Sequence, residues 1–337
     1  MLCWSNINLS NKLSMKENNL LKTGADDIVL SICCITYNHA AYIQKCIEGF
    51  LMQKTSFPIE ILIHDDASTD GTAEIVKEFA EKYPDLIFPV FQEENKYSQG
   101  INVAADYLLP RVRGKYIAVC EGDDYWIDPT KLQRQVDFLE SHPSFSFCCH
   151  QTYIYEQNTG EMSLWKIKEE KILETDFSFT CKEWTRLDWF FHMLTIVLRK
   201  DMLDLPFLMS FKRCYGVHIF YQLLQKGNAY FFATPMSVYR IHKTGVFRGL
   251  SYEQRGKMNL EVFHELYQKT ADPLAKHWLG SKMNELSLAY LRYGHLLRFF
   301  HMVVLTASYC GMDGLGRLGI DIFNRFAQGL KKKCISK

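Results

Sequence analysis

The sequence predicts an α/β fold in which a mostly parallel sheet is flanked by helices. Three features of the first half of the chain lead to this prediction: short, nearly continuous apolar runs, amphipathic segments between them, and polar residues directly after the runs. Such runs are typical of strands buried on both faces, and their alternation with helices indicates parallel βαβ units. Ligands of such sheets bind beyond the C-terminal ends of the strands. We therefore expect a binding site at that edge of the sheet.

The regular alternation covers residues 28–143. Strands are predicted at residues 29–37, 60–63, 86–91 and 116–120, and helices at residues 41–53 and 101–109. A helix capped by residues 68–72 follows the second strand, and another helix is expected to begin at Asp128, with Pro129 in its first position. Asp is a frequent N-cap residue, and Pro suits the first helical position because the N–H that it lacks needs no partner there.

After Pro143 the alternation ends, and an α+β portion is predicted for residues 144–250. Its strands are expected at residues 145–155, 195–199, 230–233 and 236–242, with Pro235 between the last two, and its helix at residues 217–225. Residues 166–174 are charged and are expected to form a surface loop. The predicted organisation is a flexible leader at residues 1–27, one domain at residues 28–250 with halves 28–143 and 144–250, and a helical C-terminal region at residues 251–337.

The composition is that of a globular protein without an unusual partner. Of the 337 residues, 47% are hydrophobic and 23% charged, and the net charge of +1 gives no indication of nucleic-acid binding. The eleven cysteines include no Cys-x-x-Cys pair, which indicates a reducing compartment. Residues 1–27 contain no apolar run long enough for the h-region of a signal peptide, and the sequence contains no run of 18 apolar residues. We expect a cytoplasmic protein, or one that touches the inner membrane from its cytoplasmic face.

Three carboxylates follow the fourth predicted strand: Glu121, Asp123 and Asp124. Carboxylates this close repel one another unless a cation lies among them. Hard divalent ions such as Mg²⁺ bind oxygen ligands and commonly share them with substrate phosphates. The alternative is an acidic turn that only caps the next helix. The stretch indicates a metal–phosphate site at the end of a buried strand.

Polar residues also follow the first two predicted strands. The first strand ends in Thr36, Tyr37 and Asn38, and the second in Asp65 and Asp66. Taken alone, Asn38 can be a turn residue and the two aspartates can be solvated loop acids. Three polar strand ends at one edge of a sheet favour a binding site over three unrelated turns.

Four motifs, in this order, resemble those of one enzyme family. They are residues 31–38 (SICCITYN), 63–72 (IHDDASTDGT), 114–126 (GKYIAVCEGDDYW) and 239–242 (YRIH). With these motifs the chain is similar, over residues 28–250, to inverting glycosyltransferases of family 2, which have the GT-A fold. The form Glu-Gly-Asp-Asp-Tyr-Trp resembles a subgroup common near bacterial surface-polysaccharide genes. The resemblance implies a nucleotide-sugar half at residues 28–143 and an acceptor half at residues 144–250.

The resemblance also implies which residues bind the nucleotide. Thr36, Tyr37 and Asn38 resemble the segment that lines the nucleotide pocket. Asp66, with Asp65 beside it, resembles the acid that forms a hydrogen bond with the base. Because a carboxylate can accept the N–H of a uracil ring, UDP is the expected nucleotide.

The acidic turn occupies the Asp-x-Asp position of the family. The resemblance implies that Asp123 is a metal ligand, that Asp124 is a second one, and that Glu121 contacts the ribose or the sugar of the donor. Mg²⁺ or Mn²⁺ at this position bridges the diphosphate and offsets the charge of the leaving group.

His242 resembles a third contact to the metal or the diphosphate in some relatives, and Arg240 stands beside it at the nucleotide. The alternative for His242 is a structural histidine next to Tyr239. The sequence leaves both roles open.

The general base departs from the family pattern. Inversion needs a group that takes the proton of the acceptor hydroxyl. Relatives of this subgroup often carry an Asp just before a helix that resembles residues 217–224, and the matching position here is Gly216. His218 and Asp188 are the substitute candidates, and an imidazole suits the role at neutral pH.

The predicted function is transfer of a sugar from a nucleotide-sugar donor, a UDP-sugar by expectation, to a hydroxyl of a glycan or lipid-linked glycan. One alternative is a catalytically impaired nucleotide-sugar-binding homologue, which Gly216 favours. Another is a sugar-phosphate nucleotidyltransferase, but such enzymes usually carry a glycine-rich loop with Arg and Lys after the first strand. Residues 37–42 contain no glycine, Arg or Lys.

The C-terminal region lies outside the resemblance. Residues 295–310 are too short to span a bilayer and predict a core helix or an interfacial one. Residues 320–330 are amphipathic and precede three lysines, a pattern that can bind anionic lipid. The alternative is a helix packed on the catalytic domain with a solvated tail.

Overall fold

The structure is a computed structural model, and it describes residues 28–166, 174–187, 189–243, 245 and 250–335. Side chains are described up to residue 320, except those of residues 186, 187 and 312–315. The predicted leader at residues 1–27, most of the predicted loop at residues 166–174, and Asp188 lie outside the described residues.

The strands of the described chain form one mixed sheet. They are β1 (Leu30–Thr36), β2 (Ile59–Asp65), β3 (Ile87–Phe91), β4 (Tyr116–Val119), β5 (Tyr125–Trp126), β6 (Phe145–Glu156), β7 (Glu161–Leu164), β8 (Phe177–Phe179), β9 (Val197–Arg199) and β10 (Asn228–Ile241). Their order in the sheet is β3-β2-β1-β4-β9-β6-β10-β5, with β7 paired to β6 and β8 paired to β10.

Helices cover both faces of this sheet and make up the C-terminal region. The α-helices are α1 (Ile43–Leu51), α2 (Thr72–Lys82), α3 (Lys131–Ser141), α4 (Cys181–Leu187), α5 (Leu205–Met209), α6 (Gly216–Lys226), α7 (Tyr252–Thr270), α8 (Pro273–Arg292) and α9 (Leu296–Ile335). Short 3₁₀ turns lie at Leu109–Arg111, Met193–Thr195 and Lys200–Met202.

The parallel part of the sheet is built around β1. This strand pairs in parallel with β2 on one side and with β4 on the other, and β2 continues in parallel to β3. The sequence order therefore reverses between β1 and β4, which is where ligands of such sheets bind. Beyond β4 the sheet is mostly antiparallel, through β9 and β6, as an α+β half requires.

Successive residues of the central strands point to opposite faces, and each face carries its own core. Ile32 and Cys34 pack with α1 and α3, whereas Cys33 packs with α6, α7 and α8. Trp278 of α8 belongs to this second core, so the C-terminal helices share apolar packing with the sheet. The predicted domain boundary at residue 250 stays a prediction.

Two of the predicted helices differ in the structure. The one predicted at residues 101–109 is a π-helical turn, Ala104–Leu108, followed by a 3₁₀ turn that contains Pro110, which cannot donate the hydrogen bond of a continuing helix. The helix after the acidic turn begins at Lys131 rather than next to Asp128. The Asp128 carboxylate instead accepts hydrogen bonds from the N–H and hydroxyl of Thr130, the N-cap.

The two strands predicted on either side of Pro235 are one strand, β10. Its pairing with β6 shifts register between Phe232 and Ser237, and Pro235 lies in this irregular segment. A proline is tolerated in a strand at such a bulge because no ladder hydrogen bond is needed from it there. The strand therefore continues to Ile241 and places His242 just beyond its end.

The last helix, α9, carries apolar side chains on its outer face. Leu297, Phe300 and Val304 are exposed, and their spacing places them on one side of the helix. Met302 faces the other way and packs against α8. Among the described residues, no helix is both long enough and apolar enough to cross a bilayer.

Candidate active site

The acidic turn after β4 is anchored to the end of β1. The N–H of Gly122 donates to the carbonyl oxygen of Ile35 at 2.9 Å. A Cβ at residue 122 would lie 2.6 Å from Oγ1 and 2.8 Å from Cβ of Thr36, so a larger residue does not fit. The chain therefore passes Thr36 closely and presents the carboxylates of the turn at the C-terminal edge of the sheet.

Asp123 lies between two histidines from other strand ends. Its Oδ2 is 2.9 Å from Nε2 of His242 and 3.8 Å from Nε2 of His39. Burial alone raises the pKa of Asp123, but the hydrogen bond with His242 and the positive charges that the two histidines can carry outweigh it and lower that pKa. Burial also lowers the pKa of His39. An ionised carboxylate beside a neutral imidazole suits a metal ligand set.

Asp124 lies deeper than Asp123 and is 1% exposed. Its Oδ1 accepts a hydrogen bond from the main-chain N–H of Arg240 at 2.7 Å. Its Oδ2 is buried and has no hydrogen-bond partner among the described residues. Burial, followed by the charges of Asp123 and Glu121, raises the pKa of Asp124 well above its usual value. A buried oxygen without a partner in a carboxylate cluster is consistent with a nearby cation.

Glu121 is exposed to solvent. The surrounding protein nevertheless crowds its carboxylate, and this desolvation, together with the charge of Asp123, raises the pKa of Glu121 to about 7. Carboxylates with raised pKa values are common at functional sites.

Arg240 holds the main chain of the acidic turn in place. Its Nε donates to the carbonyl oxygen of Asp123 at 2.8 Å, and a terminal nitrogen donates to Gln157 at 2.6 Å. The guanidinium also lies over three aromatic rings, those of Tyr42, Tyr125 and Tyr155. These contacts are those of a residue that positions the turn, and the predicted contact of Arg240 with the nucleotide stays a prediction.

The residues predicted to line the nucleotide pocket lie at the end of β1. Thr36 is fully buried, and its hydroxyl has no partner among the described residues, whereas Tyr37 is 43% exposed. Asn38 adopts a left-handed conformation (φ 54°), which Asn tolerates better than most residues. Its side-chain oxygen accepts from the N–H of Thr69 at 2.8 Å, and its own N–H donates to Ser68 at 2.9 Å. Asn38 therefore ties the turns after β1 and β2 together.

Asp65 and Asp66, after β2, are each 1% exposed and already accept hydrogen bonds. The two oxygens of Asp66 accept from the N–H groups of Lys96 and Tyr97, at 2.9 and 3.0 Å. Those of Asp65 accept from the hydroxyl and the N–H of Ser68, at 2.5 and 3.0 Å. The predicted contact of Asp66 with a nucleotide base would thus be an additional one, and it stays a prediction.

His218 does not have the surroundings of a general base. It is fully buried in α6, its ring stacks on Phe211 at 4.0 Å between centroids, and its Nδ1 accepts from the N–H of Tyr215 at 3.0 Å. Burial lowers its pKa to about 4. We therefore correct that prediction, because a base must reach the acceptor hydroxyl. The other candidate, Asp188, lies outside the described residues.

Two residues at the site were missed in the sequence, His39 and Tyr42. The Tyr42 ring lies 4.8 Å from that of His242 and under the guanidinium of Arg240. His39 directly follows the motif that ends in Asn38, so its position after a strand was the available signal. Its partners come from residues more than eighty positions away, which the sequence pattern does not reveal.

Comparison with known proteins assigns this architecture to a family and a fold. A family model described as glycosyl transferase family 2 matches residues 31–204. An uncharacterised protein of Mycobacterium tuberculosis is 41% identical over 150 residues, which cover 44% of this chain and 42% of that protein. The Escherichia coli protein WfaP, named UDP-Glc:alpha-D-GlcNAc-diphosphoundecaprenol beta-1,3-glucosyltransferase, is 34% identical over 117 residues, which cover 35% of this chain and 43% of WfaP. The matched regions span less than half of these relatives.

Among solved structures, residues 1–349 of Staphylococcus aureus TarS, in complex with UDP-GlcNAc, have a similar fold. The TM-score is 0.55 at 17% identity, over 86% of this chain and 80% of that one. At this identity the similarity concerns the fold alone.

Proposed function

Because this chain belongs to glycosyl transferase family 2 and has the GT-A fold expected from its sequence, we propose that it transfers a sugar from a nucleotide-sugar donor to a hydroxyl of a glycan or lipid-linked glycan in surface-polysaccharide synthesis. The observation that carries the proposal is the position of Asp123. It lies with His39 and His242 at the C-terminal edge of the sheet, next to the reversal of strand order. That is the place where α/β sheets bind nucleotides.

We propose a UDP-sugar as the donor. Support comes from the name of WfaP, which specifies a UDP-Glc donor. The first two motifs also resemble nucleotide-binding segments, and a carboxylate such as that of Asp66 can accept the N–H of a uracil ring. In this proposal Thr36 and Tyr37 line the nucleotide pocket and Asp65 and Asp66 shape it. The acceptor of WfaP is a sugar on a lipid diphosphate by its name, which supports a lipid-linked acceptor here.

The residues of the turn fit a divalent ion such as Mg²⁺ or Mn²⁺. Asp123 offers a charged oxygen with two imidazole nitrogens near it, and Asp124 has an unpartnered buried oxygen. A divalent ion bound there supplies positive charge against the diphosphate of the leaving nucleotide. Asp123 holds the ion in this proposal, and Arg240 keeps the turn in place through its hydrogen bond to the Asp123 carbonyl.

Inversion of the sugar requires a base for the acceptor proton, and Gly216 stands where relatives carry an Asp. A Cβ at residue 216 would lie 3.0 Å from Sδ of Met193, so the structure packs closely at this position. This departure supports the alternative of a catalytically impaired nucleotide-sugar-binding homologue. A sugar-phosphate nucleotidyltransferase is the weaker alternative, because residues 37–42, directly after β1, contain no glycine, Arg or Lys.

We also propose that α9 contacts the cytoplasmic face of the membrane. Leu297 is 89% exposed, and Phe300 and Val304 extend the same apolar face. Beyond a kink at Gly311 the chain continues to three lysines at residues 331–333, whose charges would favour anionic lipid. Replacing Leu297 and Phe300 together by Ser is expected to reduce co-sedimentation with anionic phospholipid vesicles. Equal sedimentation of this variant and the native protein would contradict the contact.

The main experiment is a thermal-shift panel of UDP-, GDP-, dTDP- and CMP-sugars, each with and without Mn²⁺. A ligand that binds the native state raises the melting temperature. We expect a metal-dependent shift with UDP-sugars that is lost in Asp123→Ala. Release of free UDP with an acceptor glycan then separates an active transferase from a binding protein. No shift with any donor would refute the proposed site.

A further inference from the structure

We propose that His39 is a metal ligand, and that His39, Asp123 and His242 form a site that prefers a transition-metal ion such as Co²⁺ to Mg²⁺. The inference rests on the proposed function, because it concerns the metal of the same site. It goes beyond the acidic motif by giving the site two nitrogen ligands from outside that motif.

The three side chains are close enough for one ion. One ligand atom from each lies within 4.8 Å of the other two. The Asp123 carboxylate is between the histidines, 2.9 Å from Nε2 of His242 and 3.8 Å from Nε2 of His39. Ligands that bind one ion at about 2.1 Å lie roughly 3.0–3.4 Å from one another. Small side-chain rotations are therefore enough to bring all three atoms to one ion.

The imidazole of His39 lies near the rings of Tyr42 and His242, at 6.3 and 6.1 Å between centroids. Among the described residues, its ring forms no hydrogen bond, and its Nδ1 is buried without a partner. The main chain of His39 is held firmly, since its N–H donates to the Thr72 hydroxyl at 2.8 Å. A largely buried polar ring without a partner is unfavourable. A ligand at the ring nitrogens would remove this cost and explain why the ring points at Asp123.

The ligands are carried by the ends of three strands. His39 follows β1, Asp123 follows β4, and His242 follows β10. His242 is 3% exposed, whereas His39 and Asp123 are 17% and 20% exposed. All three residues lie in the loops directly after these strands. Hydrogen bonds hold the main chain of two of these loops, from the N–H of His39 to the Thr72 hydroxyl and from the N–H of Gly122 to the carbonyl oxygen of Ile35. The partial exposure of His39 and Asp123 would leave an ion at this site open to a diphosphate from solvent.

A second group shares Asp123 and would favour a different metal. Glu121, Asp123 and Asp124 also place one oxygen each within 4.8 Å of one another. An all-oxygen set suits Mg²⁺, whereas imidazole ligands suit later first-row ions. Asp124 is 1% exposed and already accepts a hydrogen bond from the N–H of Arg240, so it is less accessible to solvent than His39, which is 17% exposed. The change in Co²⁺ affinity relative to Mg²⁺ affinity when His39 is replaced therefore distinguishes the two ligand sets.

The test measures metal binding rather than turnover. Full-length protein without a histidine tag is stripped of metal and titrated with Co²⁺ or Mg²⁺, alone and with UDP, by calorimetry and by the visible absorption of bound Co²⁺. We expect Co²⁺ to bind at least about tenfold more tightly than Mg²⁺. In His39→Asn we expect Co²⁺ affinity to fall by about 10- to 100-fold and the absorption bands to shift, with little change for Mg²⁺. His301→Asn, at an exposed position of α9, is the matched control and should change nothing.

The outcomes separate this inference from the proposed function. Unchanged Co²⁺ affinity and absorption in His39→Asn would overturn the inference, even if UDP-sugars bind. A second result would also overturn the inference. If His39→Asn lowers UDP affinity equally with Co²⁺ and with Mg²⁺ and leaves the affinity for the metals themselves unchanged, His39 contacts the diphosphate and not the metal. If Co²⁺ binds through His39 but no donor binds, the inference stands and the proposed function fails.

Discussion

Two strand ends of this protein carry neighbouring aspartates, and the structure uses them differently. After β2, Asp65 and Asp66 are buried and their oxygens accept hydrogen bonds from Ser68, Lys96 and Tyr97. After β4, Asp123 meets two histidines, and one oxygen of Asp124 has no partner among the described residues. The first pair therefore holds loops together, whereas the second pair has carboxylate oxygens that can still bind a ligand.

The difference lies in the hydrogen-bond donors that surround each pair. Main-chain N–H groups of the loop after β3 turn toward Asp66 and satisfy its charge within the protein. Around Asp123 the neighbours are imidazoles, which are metal ligands when neutral. The tertiary neighbours of an aspartate pair at a strand end thus decide whether it stabilises the fold or binds a ligand. Substitutions in the two pairs should separate an effect on stability from an effect on activity.

The largest expected effect is on activity at the second pair. Asp123→Asn keeps the shape of the side chain but removes its charge. We expect UDP release to fall by about 10²- to 10³-fold, because the charge of the leaving diphosphate loses its main stabilising site. The free energy of unfolding should change by less than about 1 kcal/mol. Steady-state kinetics measure UDP release, and urea denaturation measures the free energy of unfolding. A clearly destabilised variant would show that Asp123 mainly stabilises the fold.

The next effect is on stability at the first pair. Asp66→Ala leaves the N–H groups of Lys96 and Tyr97 without their acceptor and should lower the free energy of unfolding by about 1–3 kcal/mol. Urea denaturation measures the loss. Asp85→Ala, at an exposed position just before β3, is the control and should stay within about 0.5 kcal/mol of the native protein. If the two variants are equally stable, the framework role of Asp66 is refuted.

The smallest effect is a pH dependence in the turn after β2. Burial raises the pKa of Asp70 slightly, but hydrogen bonds from Thr72 and Ala40 outweigh it, so that its pKa is lower in the folded than in the unfolded state. Its stabilisation is therefore complete above the usual pKa of 3.8 and is lost as the pH falls through the lowered folded-state value. Asp70→Asn should cost less than about 1 kcal/mol at pH 7, since the residue is exposed.

This difference between Asp70→Asn and the native protein should shrink as the pH falls below 3.8, as measured by urea denaturation at several pH values. A difference that is constant with pH would show that the charge of Asp70 contributes nothing.

Much of the fold was predictable because its signals are local. The strands around β1 are continuous apolar runs that lie buried between two helical layers. The period and length of these runs were therefore sufficient to predict them as strands. The helix predicted at residues 101–109 was right in place but wrong in type, because the segment is a π-helical turn followed by a 3₁₀ turn with Pro110, and the apolar pattern does not distinguish these from an α-helix. The break predicted at Pro235 was wrong because a bulge accommodates the proline within β10.

The site was predictable in part. The acidic motif and His242 could be found from their positions after strands, and the structure brings them together. His218 was misleading because the sequence does not show that its ring stacks on Phe211 in the core. His39 was missed because its role depends on Asp123 and His242, which are distant in sequence.

By itself the sequence determined the family, the parallel sheet and the edge of that sheet where the polar residues collect. These follow from short-range patterns, since apolar period and the residues at strand ends are set within a few positions. Only the tertiary structure decided which carboxylates are satisfied by the protein and which are left to a ligand. Hydrogen-bond satisfaction depends on donors from distant segments, so Asp66 and Asp123 look alike in the sequence and differ once the chain has folded.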